Sequence, residues 1–99
     1  LRYKETVEYR LEFASSEDEY EYETRRFRSQ KMLLQMLVAE KDPSPESRTR
    51  IHSFVDQADS IYRQAEDMAK AGNYQQAVDE QERAVQELVK AMRVAGVYF

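Results

Sequence analysis

The sequence holds no cysteine, two glycines, two prolines and one histidine, and each scarcity removes a class of function. Without cysteine there is no disulfide framework, thiolate zinc site, iron–sulfur cluster, thiol nucleophile or covalent Cys-x-x-Cys-His haem attachment. Two glycines cannot build a glycine-rich phosphate loop of either common type. A single histidine cannot supply a multi-histidine metal site, and the Glu-x-x-His pairs of di-iron bundles are absent. Long apolar runs are missing too. The richest stretch is Met32-Leu33-Leu34 and, after Gln35, Met36-Leu37-Val38-Ala39, far short of the roughly 20 residues that a bilayer span needs. No membrane insertion and no targeting signal are expected, so the compartment stays open between cytoplasm and periplasm.

An excess of positive charge is also lacking. The 99 residues carry 15 Lys+Arg against 19 Asp+Glu, a formal net charge of −4. Only Arg25-Arg26-Phe27-Arg28 with Lys31 is locally basic, and it follows directly on an acidic block. Nucleic-acid binding needs a basic face, so nucleic acid is not an expected partner. Glu21 with Arg25 and Glu23 with Arg26 read instead as helix-surface ion pairs, since residues three or four apart share a helix face.

What is present is helical periodicity with clear punctuation. The hydrophobic fraction of 41% suits a globular domain. Ser16 with Glu19 three residues later has the spacing of a capping box. Acidic residues crowd the first turns, where the helix dipole favours them. Tyr20, Phe27, Leu34, Leu37 and Val38 then form a stripe, with Thr24 and Lys31 filling it, and predict a helix over 17–41. Pro43 drives Asp42 out of helical geometry, and Ser44-Pro45 reads as an N-cap followed by proline in the first helical position. The next stripe is Ile51, Phe54, Val55, Ala58, Ile61, Tyr62, Ala65, Met68 and Ala69, which predicts a helix over 45–71 stopped by Gly72. Ala77, Val78, Ala84, Val85, Leu88, Val89, Met92 and Ala95 predict a third helix over 74–95, ended by Gly96.

The turn at Gly72-Asn73 makes the last two helices an antiparallel hairpin. Alanines at 58, 65, 77 and 84 allow their axes to approach closely. Three helices of similar length joined by short loops describe an all-α, antiparallel up-and-down bundle. Leu1 and Gly96-Val97-Tyr98-Phe99 read as cut ends, so residues 1–99 are expected to be one helical domain excised or processed from a longer chain.

Residues 1–14 fit two patterns. Val7, Tyr9, Leu11 and Phe13 alternate with Glu8, Arg10 and Glu12 as in a half-buried strand. Tyr3, Val7 and Leu11 also stand four residues apart as on a helix. No second strand exists to pair with, so the segment is expected to be helical, either continuous with the 17–41 helix or broken near Ser15. A continuous helix would reach about 60 Å and favour dimerisation.

Ala65, Gly72, Asn73-Tyr74, Ala77 and Ala84 stand at the spacings of a tetratricopeptide (TPR) helix hairpin, and the segment 61–88 resembles that family and the helical MIT adaptor domain. The resemblance implies a tight αα-hairpin over about a third of the chain. It departs from the TPR pattern at Gln81, where an aromatic residue is expected, and at Val89, where a closing proline is expected. No second repeat follows.

Candidate functional residues are few. His52 is the only imidazole and a weak metal or haem-ligand candidate, with Met32, Met36 or Met92 as a possible opposite ligand in a bundle core. Its neighbours Ile51, Phe54 and Val55 occupy the apolar stripe and His52 falls off it. The methionines and aromatics sit mostly at core spacing and are read as core. Tyr20 and Tyr22 lie among acids that suit tyrosine modification, and Tyr20 is expected to turn inward. No nucleophile–base pair can be assigned, so no catalysis and no cofactor are expected. Gln81 interrupts the third stripe and is expected to line a helix–helix contact or a pocket. The expected function is a non-catalytic protein-interaction or assembly module that binds a protein partner or self-associates as a homodimer. Its expected interface is Tyr3, Val7, Tyr9, Leu11, Phe13, Gln81, Val97, Tyr98 and Phe99. The alternative is a small-ligand or haem carrier using the bundle interior.

Overall fold

The computed structural model describes residues 12–96, which form three α-helices and no strand. Helix α1 is Ser16–Lys41, α2 is Pro45–Lys70 and α3 is Tyr74–Val94. The all-α bundle of the expected fold class is the observed one, with helix ends within one residue of the expected bounds. At 1.5 Å per residue the helices run about 39, 39 and 32 Å.

Each end has a local cause. Ser15, not Ser16, caps α1: its backbone is extended (φ −155°, ψ 165°) and its hydroxyl accepts from the Asp18 N–H at 3.1 Å. The N-cap therefore stands one residue earlier than the Ser16–Glu19 spacing implies. Residues 12–15 are not helical, so the expected helix does not extend over 12–14 and no continuous 60 Å helix forms. The rest of that expectation lies outside the described residues. At the other end of α1, Asp42 takes the left-handed conformation (φ 48°) and donates its N–H to the Val38 carbonyl. Asp tolerates this region better than most residues do. Ser44 then accepts from the Ser47 N–H at 3.2 Å, with Pro45 as the first residue of α2. Arg48 closes the three-residue loop, donating to the Pro43 carbonyl at 3.1 Å and pairing with Asp42 at 2.7 Å.

Gly72 has φ 86°, a conformation that only glycine adopts at low cost. The Asn73 N–H reaches the Met68 carbonyl at 2.8 Å and the Gly72 N–H the Ala69 carbonyl at 2.9 Å. These are the two bonds of a Schellman turn, and they send α3 back along α2. Ala58, Ala65, Ala77 and Ala84 have no exposed surface, which is what lets these two backbones lie close. The core continues through Ile51, Ile61, Val85, Leu88 and Met92 and is covered from α1 by Phe27 and Leu34.

Helix α3 is the middle of the bundle. Close backbone approach is confined almost wholly to the α2–α3 and α1–α3 pairs. Helix α1 lies parallel to α3, with Ser16 Oγ donating to Gln75 Oε1 at 3.1 Å at one end and Lys41 beside Gly96 at the other. Between α1 and α2 the contact runs through long side chains.

Candidate functional site

The α1–α2 boundary is open because its inward residues are large or long. Phe27 stacks on Tyr62 with ring centroids 4.6 Å apart. One turn on, Lys31 Nζ reaches both carboxylate oxygens of Asp59, at 2.9 and 3.1 Å. Arg28 donates to the Tyr62 hydroxyl at 3.1 Å. Side chains of this length hold the two backbones apart, and a furrow of about 510 Å³ opens along Phe27, Lys31, Asp59, Tyr62 and Glu66. Toward the α1–α2 loop it passes Gln35 into a more apolar hollow of about 340 Å³ at Leu34, Val38, Ile51 and Val55. Toward the other end it passes Glu66 into one of about 250 Å³ between Tyr20 and Tyr74. From Tyr20 to Val38 the furrow follows α1 for about 27 Å.

Tyr20 is half-buried, as expected of an inward tyrosine, with its ring 6.1 Å from that of Tyr74. Burial pushes its phenol above the usual range. Glu66 and Tyr62 across the furrow add to this, while the Thr24 hydroxyl and Arg28 oppose it.

The outer face of α1 carries Met32, Leu33 and Met36, which are 64%, 40% and 63% exposed. With Arg28 and Ser29 they line a shallow hollow of about 250 Å³. This corrects the reading of the methionines as core. Met92 has no exposed surface and Met68 is half-buried, but Met32 and Met36 are largely exposed, Met32 at the edge of the α1–α2 furrow as well. The signal was available in the helix phase. Phe27 and Leu34, seven residues apart, define the buried line, and at 100° per residue Met32 and Met36 fall on the far side of the helix from it.

On the α1–α3 side the polar groups are enclosed. Gln81 has no exposed surface, and its Nε2 donates to Thr24 Oγ1 at 3.0 Å. Its Oε1 is buried with no hydrogen-bond partner. Gln81 therefore lies in a helix–helix contact and presents nothing to a partner molecule. Glu23 is 5% exposed and pairs with Arg26 at 3.2 Å, so the second ion pair read from the sequence forms with its carboxylate buried and not on the surface. Beside it Glu82 is exposed, and partial desolvation raises its carboxyl above the usual carboxylate range, helped by Glu23, Asp79 and Glu19 and opposed by Arg26.

Of the other expected site residues, Phe13 is half-buried with its ring 5.4 Å from that of Tyr22. Tyr3, Val7, Tyr9, Leu11, Val97, Tyr98 and Phe99 lie outside the described residues. His52 is exposed on the rim of the Leu34–Val55 hollow, whose lining includes no methionine. Met92 is enclosed in the core and Met32 and Met36 face outward, so the His–Met pairing of a carrier core is not formed. Among the described residues no three His, Cys, Asp or Glu side chains group as metal ligands, and no helix is long and apolar enough to cross a membrane. Neither a family model, nor a curated protein, nor a solved structure matches the chain.

Proposed function

We propose that the chain is a non-catalytic helical protein-interaction or assembly module whose partner seats on the outer face of α1. The observation that carries this reading is the exposed patch of Met32, Leu33 and Met36 on a helix whose opposite side already closes the core. Each buried methylene is worth about 0.8 kcal/mol, so two exposed methionines side by side are affinity held in reserve. Methionine is also unbranched and adapts its shape to whatever covers it. The α1–α2 furrow beside the patch lends it a concave border with both charge signs.

The absence of catalysis in this reading rests on how the polar groups are spent. Lys31 neutralises Asp59, Arg26 neutralises Glu23 and Gln81 bonds Thr24. Tyr20 on α1 and Glu82 on α3, whose acidities are displaced, are shifted by separate sets of neighbours and share none. With a net charge of −4, the partner of this reading is a protein and not a nucleic acid. The buried alanines at 65, 77 and 84 occupy the hairpin that resembles TPR and MIT helices, which adds a weaker argument in the same direction.

The test compares the wild-type chain with M32E/M36E, a change at two largely exposed positions that is expected to leave the circular dichroism spectrum intact. Each is used as bait for stoichiometric binding and weighed in solution. The reading predicts that M32E/M36E loses a binding partner or an oligomer that the wild type has. Identical partners and identical solution masses for the two chains would refute it.

A further inference from the structure

The patch on α1 has the geometry of one half of a coiled coil. Ser29, Met32, Leu33 and Met36 are at i, i+3, i+4 and i+7, the four positions that make the hole receiving a knob from a facing helix. The hollow is present on this face, lined by Ser29, Met32, Leu33 and Met36 with Arg28 at its side. The four positions, though not their side chains, are symmetric about the midpoint between Met32 and Leu33.

Charge selects the orientation of whatever enters it. Arg25 lies two turns before that midpoint and Glu40 two turns after it, both exposed. A parallel copy of α1 would set Arg25 against Arg25 and Glu40 against Glu40. An antiparallel copy, related by a two-fold axis through the midpoint, sets Arg25 opposite Glu40 of the second copy at both ends. The same axis sets Ser29 opposite Met36 of the second copy, a small residue facing a long one, so that each chain supplies both knob and hole. Isologous pairing of this kind is the commonest form of self-association.

We infer that the occupant of the α1 face is a second copy of this chain, docked as an antiparallel α1–α1 pair through Ser29, Met32, Leu33 and Met36 and framed by Arg25–Glu40 ion pairs. This rests on the proposed interaction role of the same face and adds the partner and the register.

Because the chain has no cysteine, engineered thiols read the register directly. In the antiparallel pair S29C/M36C brings a thiol of one chain against a thiol of the other. Within one chain these positions are about 10 Å apart along the helix, beyond the roughly 7 Å Cα separation that a disulfide can span. In S29C alone the two thiols of the dimer are separated by the same axial distance. Under mild oxidation S29C/M36C is expected to convert to a covalent dimer and S29C to remain monomeric on a non-reducing gel. Adding M32E to that pair, as S29C/M32E/M36C, is expected to abolish the product. Cross-linking of S29C alone would overturn the antiparallel register, and failure of S29C/M36C to cross-link at high protein concentration would overturn self-docking. In either case, a different protein bound by the wild type and lost in M32E/M36E would leave the interaction role standing. No such protein, together with a monomeric wild type, would remove both.

Discussion

The α2–α3 seam and the α1–α2 boundary are both antiparallel pairings over several turns, and they differ in the size of the residues that meet. Along the seam the facing residues are Ala58, Ala65, Ala77 and Ala84, all without exposed surface. Along the boundary they are Phe27, Lys31, Asp59 and Tyr62, whose rings and ion pair leave a furrow of about 510 Å³. Small residues give contact through backbone proximity and exclude everything else. Large ones give contact at their tips and leave volume beneath. The seam closes the core of the bundle; in the proposed reading the outer face of α1, beside the boundary, is the surface through which it acts.

The most disruptive way to break this contrast is to make the seam resemble the boundary. Ala65→Leu adds three heavy atoms where no space exists, and overpacking of this kind costs roughly 3 kcal/mol or somewhat less. Urea unfolding is expected to show that loss, while Gln35→Leu on the exposed border of the furrow leaves the midpoint nearly unchanged.

A smaller effect comes from the polar contact of Gln81 with Thr24, buried between α1 and α3. Thr24→Val removes the partner of Gln81 Nε2 and leaves the amide unsatisfied at both ends, at a cost of roughly 1–2 kcal/mol. Adding Gln81→Met replaces the stranded amide with an apolar chain of similar shape. The double variant is expected to regain the loss or exceed the wild type, and a double variant no more stable than Thr24→Val would contradict this reading of the contact.

The smallest expected effect concerns Glu82. Its folded-state pKa is raised, so between the unfolded and folded values the native state binds more protons than the unfolded one. Stability therefore falls as pH rises through that window, and the penalty is fully present at neutral pH. Glu82→Gln is expected to stabilise the chain there by about a few tenths of a kcal/mol, since the group is exposed and screened. The gain should vanish below the unfolded carboxylate pKa. A gain that persists in acid would assign the effect to something other than charge.

The helices were legible because each boundary has a residue with a mechanical role. Pro43 and Pro45 bracket a loop, Gly72 and Gly96 take positive φ, and the apolar stripes of α2 and α3 repeat without ambiguity. Gln81 was legible as an interruption inside such a stripe. The start of α1 was less so, because Ser15 and Ser16 are chemically equivalent caps and only backbone geometry chooses between them. The exposed face of α1 was missed for a different reason. Its stripe is thin, filled by Thr24 and Lys31 at two positions, and methionine suits core and surface alike. Only the phase set by Phe27 and Leu34 separates Met32 and Met36 from the core. His52 was correctly placed off the apolar stripe, since its neighbours left it no inward position.

The central claim is that the bundle closes through α2 and α3 and associates through the outer face of α1. Sedimentation velocity over a dilution series, run in parallel on the wild-type chain and M32E/M36E, tests it most directly. The wild type is expected to shift from dimer to monomer on dilution, and the variant to sediment as monomer throughout with an unchanged helical spectrum. Superimposable profiles for the two chains at every concentration would contradict it.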